Sequence, residues 1–505
     1  MPDSPAAHIP LNAWKTLLII AGTITIFLYL NTGMAPALPS IAQYFQISLA
    51  LSSWVLAAYM VCGAVMTVIM GRLSDLFGAK KMLMVMMTCF TAGTILAPFS
   101  PNISTLLALR VLQGIAVAST PISTKLIRDQ LPKSKFPIGI SIYLAAYSGG
   151  IALGAVLGPI VVAGTGWQGN FYLCAPIAVV LSFASWRFVH VDENNKIHGH
   201  DYVDKKVSSY ISIDAKKLDE KQRIDFIGII TMAVTLVSFL ISITFSATIA
   251  TNLVGFLVPL VMGVIFLVLF ISVEKRVKSP LVNLKLAFHP VIFTGNIIML
   301  MVGILQYIVI ISIPQLGSAP TPLGLGLDPL KVGFLQLPFG LSMMIFGPVF
   351  GLLVAKRKRL NLKLLVPGVG ITTISFLLLL FFHSSSQGVN GSLFIFGIAG
   401  ALLPNTLINT NIEFTPKEYI GISSAITNMM RIVGGAIGPV ITTVILTSAT
   451  ISITVNHATK TYPNPVTFNI LFALGLVMTI ACVLLAIRMK FLATNTMPLT
   501  YKEMM

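Results

Sequence analysis

Along this chain apolar residues come in unbroken runs of roughly twenty, closed by short connections where charged residues, glycines and prolines gather. A helix of that length crosses the hydrocarbon core of a bilayer, whereas barrel strands would alternate apolar and polar positions. Fourteen spans are predicted, at 16–38, 51–70, 82–99, 103–124, 137–163, 170–188, 226–246, 252–272, 291–313, 330–354, 361–383, 391–412, 419–448 and 465–488. The fold class is therefore an all-α polytopic membrane protein. Backbone polar groups in lipid must be satisfied within each helix, which excludes open sheets and lipid-exposed loops.

Composition agrees with that pattern. Of 505 residues, 56% are hydrophobic and 10% charged, against about 25% charged in soluble chains. The formal net charge of +17 would suit nucleic acid, but its placement does not. All but four of the 33 Lys and Arg fall in the termini and in alternate connections: 71–81, 125–136, 187–225, 273–290, 355–363 and 413–418. Lys331 and Lys460 lie in the opposite connections, and Arg110 and Arg431 lie within spans. By the positive-inside rule, both termini are expected in the cytoplasm of a plasma-membrane protein. Cys62, Cys89, Cys174 and Cys482 stand inside apolar runs without metal or disulfide spacing, so no metal and no cofactor are expected.

The organisation shows a repeat. "GAVLGPIV" from Gly154 returns as "GGAIGPVI" from Gly434, an offset of 280 residues, and the same offset carries Gly71 onto Gly351. Two related halves separated by an insertion explain both matches. The expected division is residues 1–188 as a first six-helix half, 189–225 as a cytosolic linker, 226–290 as two extra helices with a loop, 291–490 as a second six-helix half, and 491–505 as a tail. The linker mixes charges of both signs with few large apolar residues and cannot form its own core. Its His198 and His200 are read as solvated side chains.

Few spans carry chemistry. "GRLSDLFGAKK" (71–81) sets an acid among bases and glycines; Gly71 and Gly78 favour close approach and a tight turn, and Asp75 shares the face of Gly71. Arg110, in mid-span, costs roughly 2.5–3.5 kcal/mol on insertion scales and should point into the bundle. Gln113 and Gly114 lie on its face. Arg431 is read either as a path residue or as part of a packing helix. Gly154 and Gly158, four apart, allow close helix packing, and Pro159 allows a bend; Gly434, Gly438 and Pro439 repeat them.

These motifs resemble those of the major facilitator superfamily, and within it the fourteen-helix drug:proton antiporters. "GRLSDLFGAKK" is similar to the loop motif after helix two, through Gly71, Leu73, Asp75, Gly78 and Lys80. "LLALRVLQGIAVAS" resembles the helix-four motif through Arg110, Gln113 and Gly114. "GAVLGPIVVAG" with "GW" resembles the antiporter motif of helix five through Gly154, Gly158, Pro159, Gly164 and Trp167. The resemblance implies the major facilitator fold, two six-helix halves plus two inserted helices. It also implies a latch between the halves at Asp75, a coupling role for Arg110 and a gate at Gly154, Gly158 and Pro159. Leu76 and Ala79 stand where the family carries bases.

The implied function is secondary active, proton-coupled efflux of small amphipathic compounds by alternating access; the alternative is a facilitator or metabolite carrier without proton coupling. One departure bears on that choice. Related exporters place an Asp before the "ALP" turn of helix one, where this chain has Leu30 beside Asn31, and no Asp or Glu lies deep in any span. Three accounts stay open: a proton site at Glu413, a coupling pair of Asp75 and Arg110, or no proton site. Candidates for the substrate path are Tyr29, Asn31, Tyr59, Tyr143, Tyr147, Asn296, Gln306, Tyr307, Gln336, Asn405, Asn409 and Asn428, with Arg431. With Arg110 as the charge among them, a neutral, amphipathic or anionic substrate is favoured. Seven scattered histidines and the lack of a GxxxxGK[ST] loop speak against an enzyme or an ATP-driven pump. Expected partners are the lipid bilayer, a small-molecule substrate and protons, with no nucleic acid and a monomeric carrier.

Overall fold

The computed structural model describes residues 11–131, 135–189, 225–246, 252–277, 282–356, 360–416, 419–455, 458–495 and 497. The linker 190–224, with His198 and His200, and most of the tail from 491 lie outside them. Among the described residues, fourteen helices are long and apolar enough to cross a membrane.

The first six are α1 (Leu11–Gly33), α2 (Trp54–Phe77), α3 (Ala79–Leu96), α4 (Ile103–Gln130), α5 (Phe136–Thr165) and α6 (Gly169–Phe188). Two follow as an inserted pair, α7 (Phe226–Phe245) and α8 (Leu253–Arg276). The last six are α9 (Pro290–Ser318), α10 (Pro329–Lys356), α11 (Leu360–Phe382), α12 (Ser386–Glu413), α13 (Ile420–Ser448) and α14 (Pro465–Asn495).

Some ends differ from expectation, each for a local reason. α2 runs on through Gly71 to Phe77, so most of the charged motif is helical. Gly71 keeps a helical backbone, and Gly78, with a φ of 92°, makes the turn into α3. α4 is interrupted by a 3₁₀ turn at Ile115–Ala118. Between α13 and α14 the chain adds an antiparallel hairpin, β1 (Thr450–Val455) and β2 (Ala458–Pro463), with Thr450 opposite Pro463.

The packing repeats. α1 lies on α5 and α6, α2 on α4, and α3 on α6; likewise α9 lies on α13 and α14, α10 on α12, and α11 on α14. The halves meet along two seams that are counterparts under exchange of the halves, α5 with α10 and α2 with α13. Glycines set the closeness of these contacts. A Cβ on Gly150 or Gly154 would meet the Thr25 or Tyr29 carbonyl oxygen of α1 at 2.6 or 2.5 Å, and one on Gly158 would meet Gly33 Cα at 2.7 Å. In the second half Gly434 faces the Leu300 carbonyl and Gly438 faces Tyr307 Cβ at 2.7 Å, both on α9. Sequence-equivalent glycines therefore do equivalent work, bringing the fifth helix of each half onto the first.

The inserted pair stands outside this arrangement. α7 packs across the α2–α13 seam, where Trp54 Nε1 donates to Thr244 Oγ1 at 3.0 Å. α8 packs on α7, and its apolar window is only 6% buried, leaving the rest of its surface to lipid.

Candidate functional site

The described residues of the two halves line a pair of cavities between them. The larger holds about 950 Å³ of atom-free space, part of it open to solvent, and extends from mid-membrane toward the face carrying the basic connections. The smaller, about 640 Å³, extends the other way between α1, α2, α4, α5, α9 and α13. Thr120, Tyr147, Gln306, Asn428 and Arg431 line both, so these five residues mark the junction.

Arg431 is the charged residue of that junction. Its Nη2 donates to Tyr147 Oη at 2.6 Å and to Asn428 Oδ1 at 3.2 Å, and its guanidinium lies 5.5 Å from the Tyr147 ring. Tyr147 belongs to α5 and Arg431 to α13, so the contact joins the two halves. A second joining contact lies further from the basic face, where Asn31 Nδ2 of α1 donates to Tyr307 Oη of α9. Tyr143 closes the wall of the larger cavity, donating to Thr120 Oγ1 at 3.1 Å.

Arg110 sits elsewhere than a cavity residue would. It is fully buried within the first half and lines neither cavity. Its Nε donates to the Val55 carbonyl at 2.8 Å, and its Nη1 to Gln113 Oε1 at 2.8 Å. Gln113 in turn donates to Thr94 Oγ1 at 3.1 Å, so one chain of bonds ties α2, α3 and α4 together. The guanidinium also lies 4.6 Å from the Tyr59 ring, whose side chain lines the smaller cavity. Arg110 thus touches the smaller cavity through Tyr59 alone, and Arg431, not Arg110, is the charged side chain among the described lining residues.

The remaining candidates divide. Asn405 lines the larger cavity and bonds its own helix at Ala401, and Asn409 bonds the Asn405 carbonyl one turn on. Asn296 is buried in a network with Asn411 and Thr427 that joins α9, α12 and α13 outside the cavities. Gln336 donates to the Ile310 carbonyl at 3.2 Å, and Tyr29 donates to Asn170 at 2.8 Å. Glu413, half-buried at the end of α12, accepts from Asn361 Nδ2 at 2.8 Å and lines neither cavity. The Asp75 side chain lies outside the described part; one residue before it, the Ser74 carbonyl accepts from Lys125 Nζ at 3.0 Å. Gly71 has no neighbour within 4 Å of a built Cβ, and Lys80 is half-buried at the start of α3. Pro159 continues the helix one residue after the Gly158 contact.

Sequence reasoning passed over Thr120, Ser148 and Lys125. The signal for Thr120 was present in "STPIST", a polar stretch inside a predicted span. Lys125 was counted only as a basic loop residue.

Two like six-helix halves, each tightened by its own glycine contacts and meeting along two seams around the cavities, define a polytopic membrane carrier. The chain belongs to the Major Facilitator Superfamily, whose family profile matches residues 20–213 and 207–439. It is 25% identical over 436 residues to the multidrug efflux pump LfrA of Mycolicibacterium smegmatis, covering 85% of this chain and 80% of that one. It is also 25% identical over 432 residues to the methyl viologen resistance protein SmvA of Salmonella typhimurium, covering 84% and 81%. The fold matches the crystal structure of a peptide transporter POT variant in complex with sulfate, with a TM-score of 0.60, 17% identity and 95% of each chain covered.

Proposed function

We propose that this protein is a secondary active exporter of small amphipathic compounds, drugs among them. It stands as a monomer in the plasma membrane with both termini in the cytoplasm, and it performs no covalent chemistry. The observation that carries the reading is the pair of cavities between the halves, joined at residues that both halves contribute. A carrier of this kind exposes one central site to either side in turn by rocking one half against the other. The glycine contacts of α5 on α1 and of α13 on α9 keep each half rigid. Tyr147–Arg431 and Asn31–Tyr307 are the cross-half bonds that must break and remake. The multidrug efflux relatives support export.

Protons are the driving ion in this reading, with Glu413 as the titrating acid and Asn361 as its partner. The reading without proton coupling has its own support, since no Asp or Glu is among the described lining residues of either cavity. Purified protein in vesicles loaded with a pH-sensitive dye separates the two. Substrate-dependent proton movement that is lost in Glu413→Gln supports antiport; substrate flux with no proton movement leaves a facilitator.

A further inference from the structure

From the charge at the cavity junction we infer that the substrates of this carrier are amphipathic monoanions, with Arg431 as their counter-charge. This rests on the carrier reading above and adds the substrate class to it.

The argument begins with what surrounds Arg431. Its hydrogen-bond partners, Tyr147 and Asn428, are neutral, and no ion pair reaches it among the described residues. Both bonds use Nη2; Nε and Nη1 have none among the described residues. The guanidinium therefore presents unused donors at the point where the two cavities meet. Half-buried at that junction and without a carboxylate partner among the described residues, a cation of this kind attracts an anion more strongly than a fully solvated one would. A sulfonate or carboxylate matches its planar fork, and a cation placed there would meet repulsion without any lining acid to offset it. The rest of the larger cavity sets the other half of the ligand. Met299, Val302, Phe339, Met343 and Phe396 offer apolar and aromatic surface next to the charge. An apolar body bearing one negative group satisfies both.

The charge of the substrate fixes the energetics of export. An anion leaving a cell whose interior is negative moves down the membrane potential, gaining about fiftyfold in equilibrium ratio per 100 mV. Exchange against one proton adds a second charge to the cycle, whereas a monocation exchanged against one proton would move no net charge. An anion carrier of this kind needs no acid among the described lining residues.

The test uses the full-length protein and three probes on one ring system: a naphthalene sulfonate, the matched quaternary ammonium and the uncharged sulfonamide. Binding is measured by calorimetry in detergent, and flux in vesicles with the potential clamped by a potassium gradient and valinomycin. The expected result is sulfonate binding at least tenfold tighter than ammonium binding. Arg431→Gln should weaken the sulfonate at least tenfold and leave the sulfonamide within about twofold, which also reports that the variant is folded. Arg431→Lys, which keeps the charge and loses the fork, should bind the sulfonate more tightly than Arg431→Gln and more weakly than the wild type. Asn428→Asp, which keeps Arg431 and places an acid beside it, should lose the affinity as Arg431→Gln does. Ammonium binding as tight as sulfonate binding, or sulfonate binding unchanged in Arg431→Gln, overturns the inference. Transport of the ammonium alone leaves the carrier reading standing and the substrate class wrong. Arg431-dependent sulfonate binding without flux of any probe upholds the class and removes the carrier reading.

Discussion

Alanine at Gly154 tests whether the repeated glycines act through helix approach. Its Cβ would lie 2.5 Å from the Tyr29 carbonyl oxygen, 0.9 Å inside the 3.4 Å at which ordinary contact begins. The same Cβ would be 2.9 Å from Thr32 Cβ and 3.0 Å from the Gly33 amide nitrogen. Two of these neighbours are backbone and cannot turn aside, so α5 and α1 must separate by most of an ångström. Overpacking of this kind costs about 1–3 kcal/mol. The higher helix propensity of alanine returns up to about 1 kcal/mol. Because two of the three neighbours are backbone, the upper part of that overpacking range applies, about 2–3 kcal/mol, for a net loss of about 1–2 kcal/mol. Gly164 supplies the control, because it lies on the same helix with nothing within 4 Å of a built Cβ. Gly164→Ala should therefore be neutral or slightly stabilising. A thiol-reactive fluorophore reporting exposure of Cys174 and Cys482, both buried, follows unfolding on heating. The apparent unfolding temperature should fall in Gly154→Ala and hold in Gly164→Ala. Equal behaviour of the two variants would refute packing as the reason for the glycine.

Gly434→Ala, facing the Leu300 carbonyl in the second half, should lower the unfolding temperature at least as far as Gly154→Ala in the same assay. Arg110→Lys keeps a charge but loses the fork that reaches both Val55 and Gln113, for a loss of about 1.5–3 kcal/mol, one charge-assisted hydrogen bond, read by the same melt. Asn31→Leu and Tyr307→Phe remove one bond from either side, so in a double-mutant cycle the two losses should fail to add by about 0.5–1.5 kcal/mol. Asp328 precedes α10 with its carboxylate accepting from the Lys331 amide at 3.0 Å, and that bond, with the Lys331 ammonium, holds its carboxyl below the usual range. A depressed value means the cap is in place above the ordinary carboxylate pKa of about 3.9 and is lost as pH falls through the lower folded value. Exchange of the Lys331 amide should accordingly be slow at pH 7 in the wild type and faster in Asp328→Ala, which leaves that amide no side-chain acceptor.

The hydrophobic pattern alone determined the number of spans, because a lipid environment requires about twenty apolar residues per crossing and penalises every interruption. The matching glycine motifs showed the repeat, since Gly154 and Gly434 are tied to one geometry, the closest approach of two backbones, and keep it in both halves. Where pattern and chemistry parted, only the tertiary structure decided. Arg110 and Arg431 read alike as lone charges in apolar helices. A span with lipid, neighbour and cavity all apolar around it carries no periodic signal for which face meets the path. Packing placed Arg110 among α2, α3 and α4 with its fork occupied, and Arg431 at the cavity junction with donors to spare. Asn31 and Tyr307 become partners only when the halves close on each other, a contact 276 residues apart in the chain. The hairpin at Thr450–Pro463 was legible in the alternation of "TISITV", but it stands beside long apolar spans whose signal is stronger. Sequence thus fixes what must lie in the membrane, because solvation acts residue by residue. Which side chains face the substrate depends on how fourteen apolar helices are turned against one another, and contacts made across the whole chain set that.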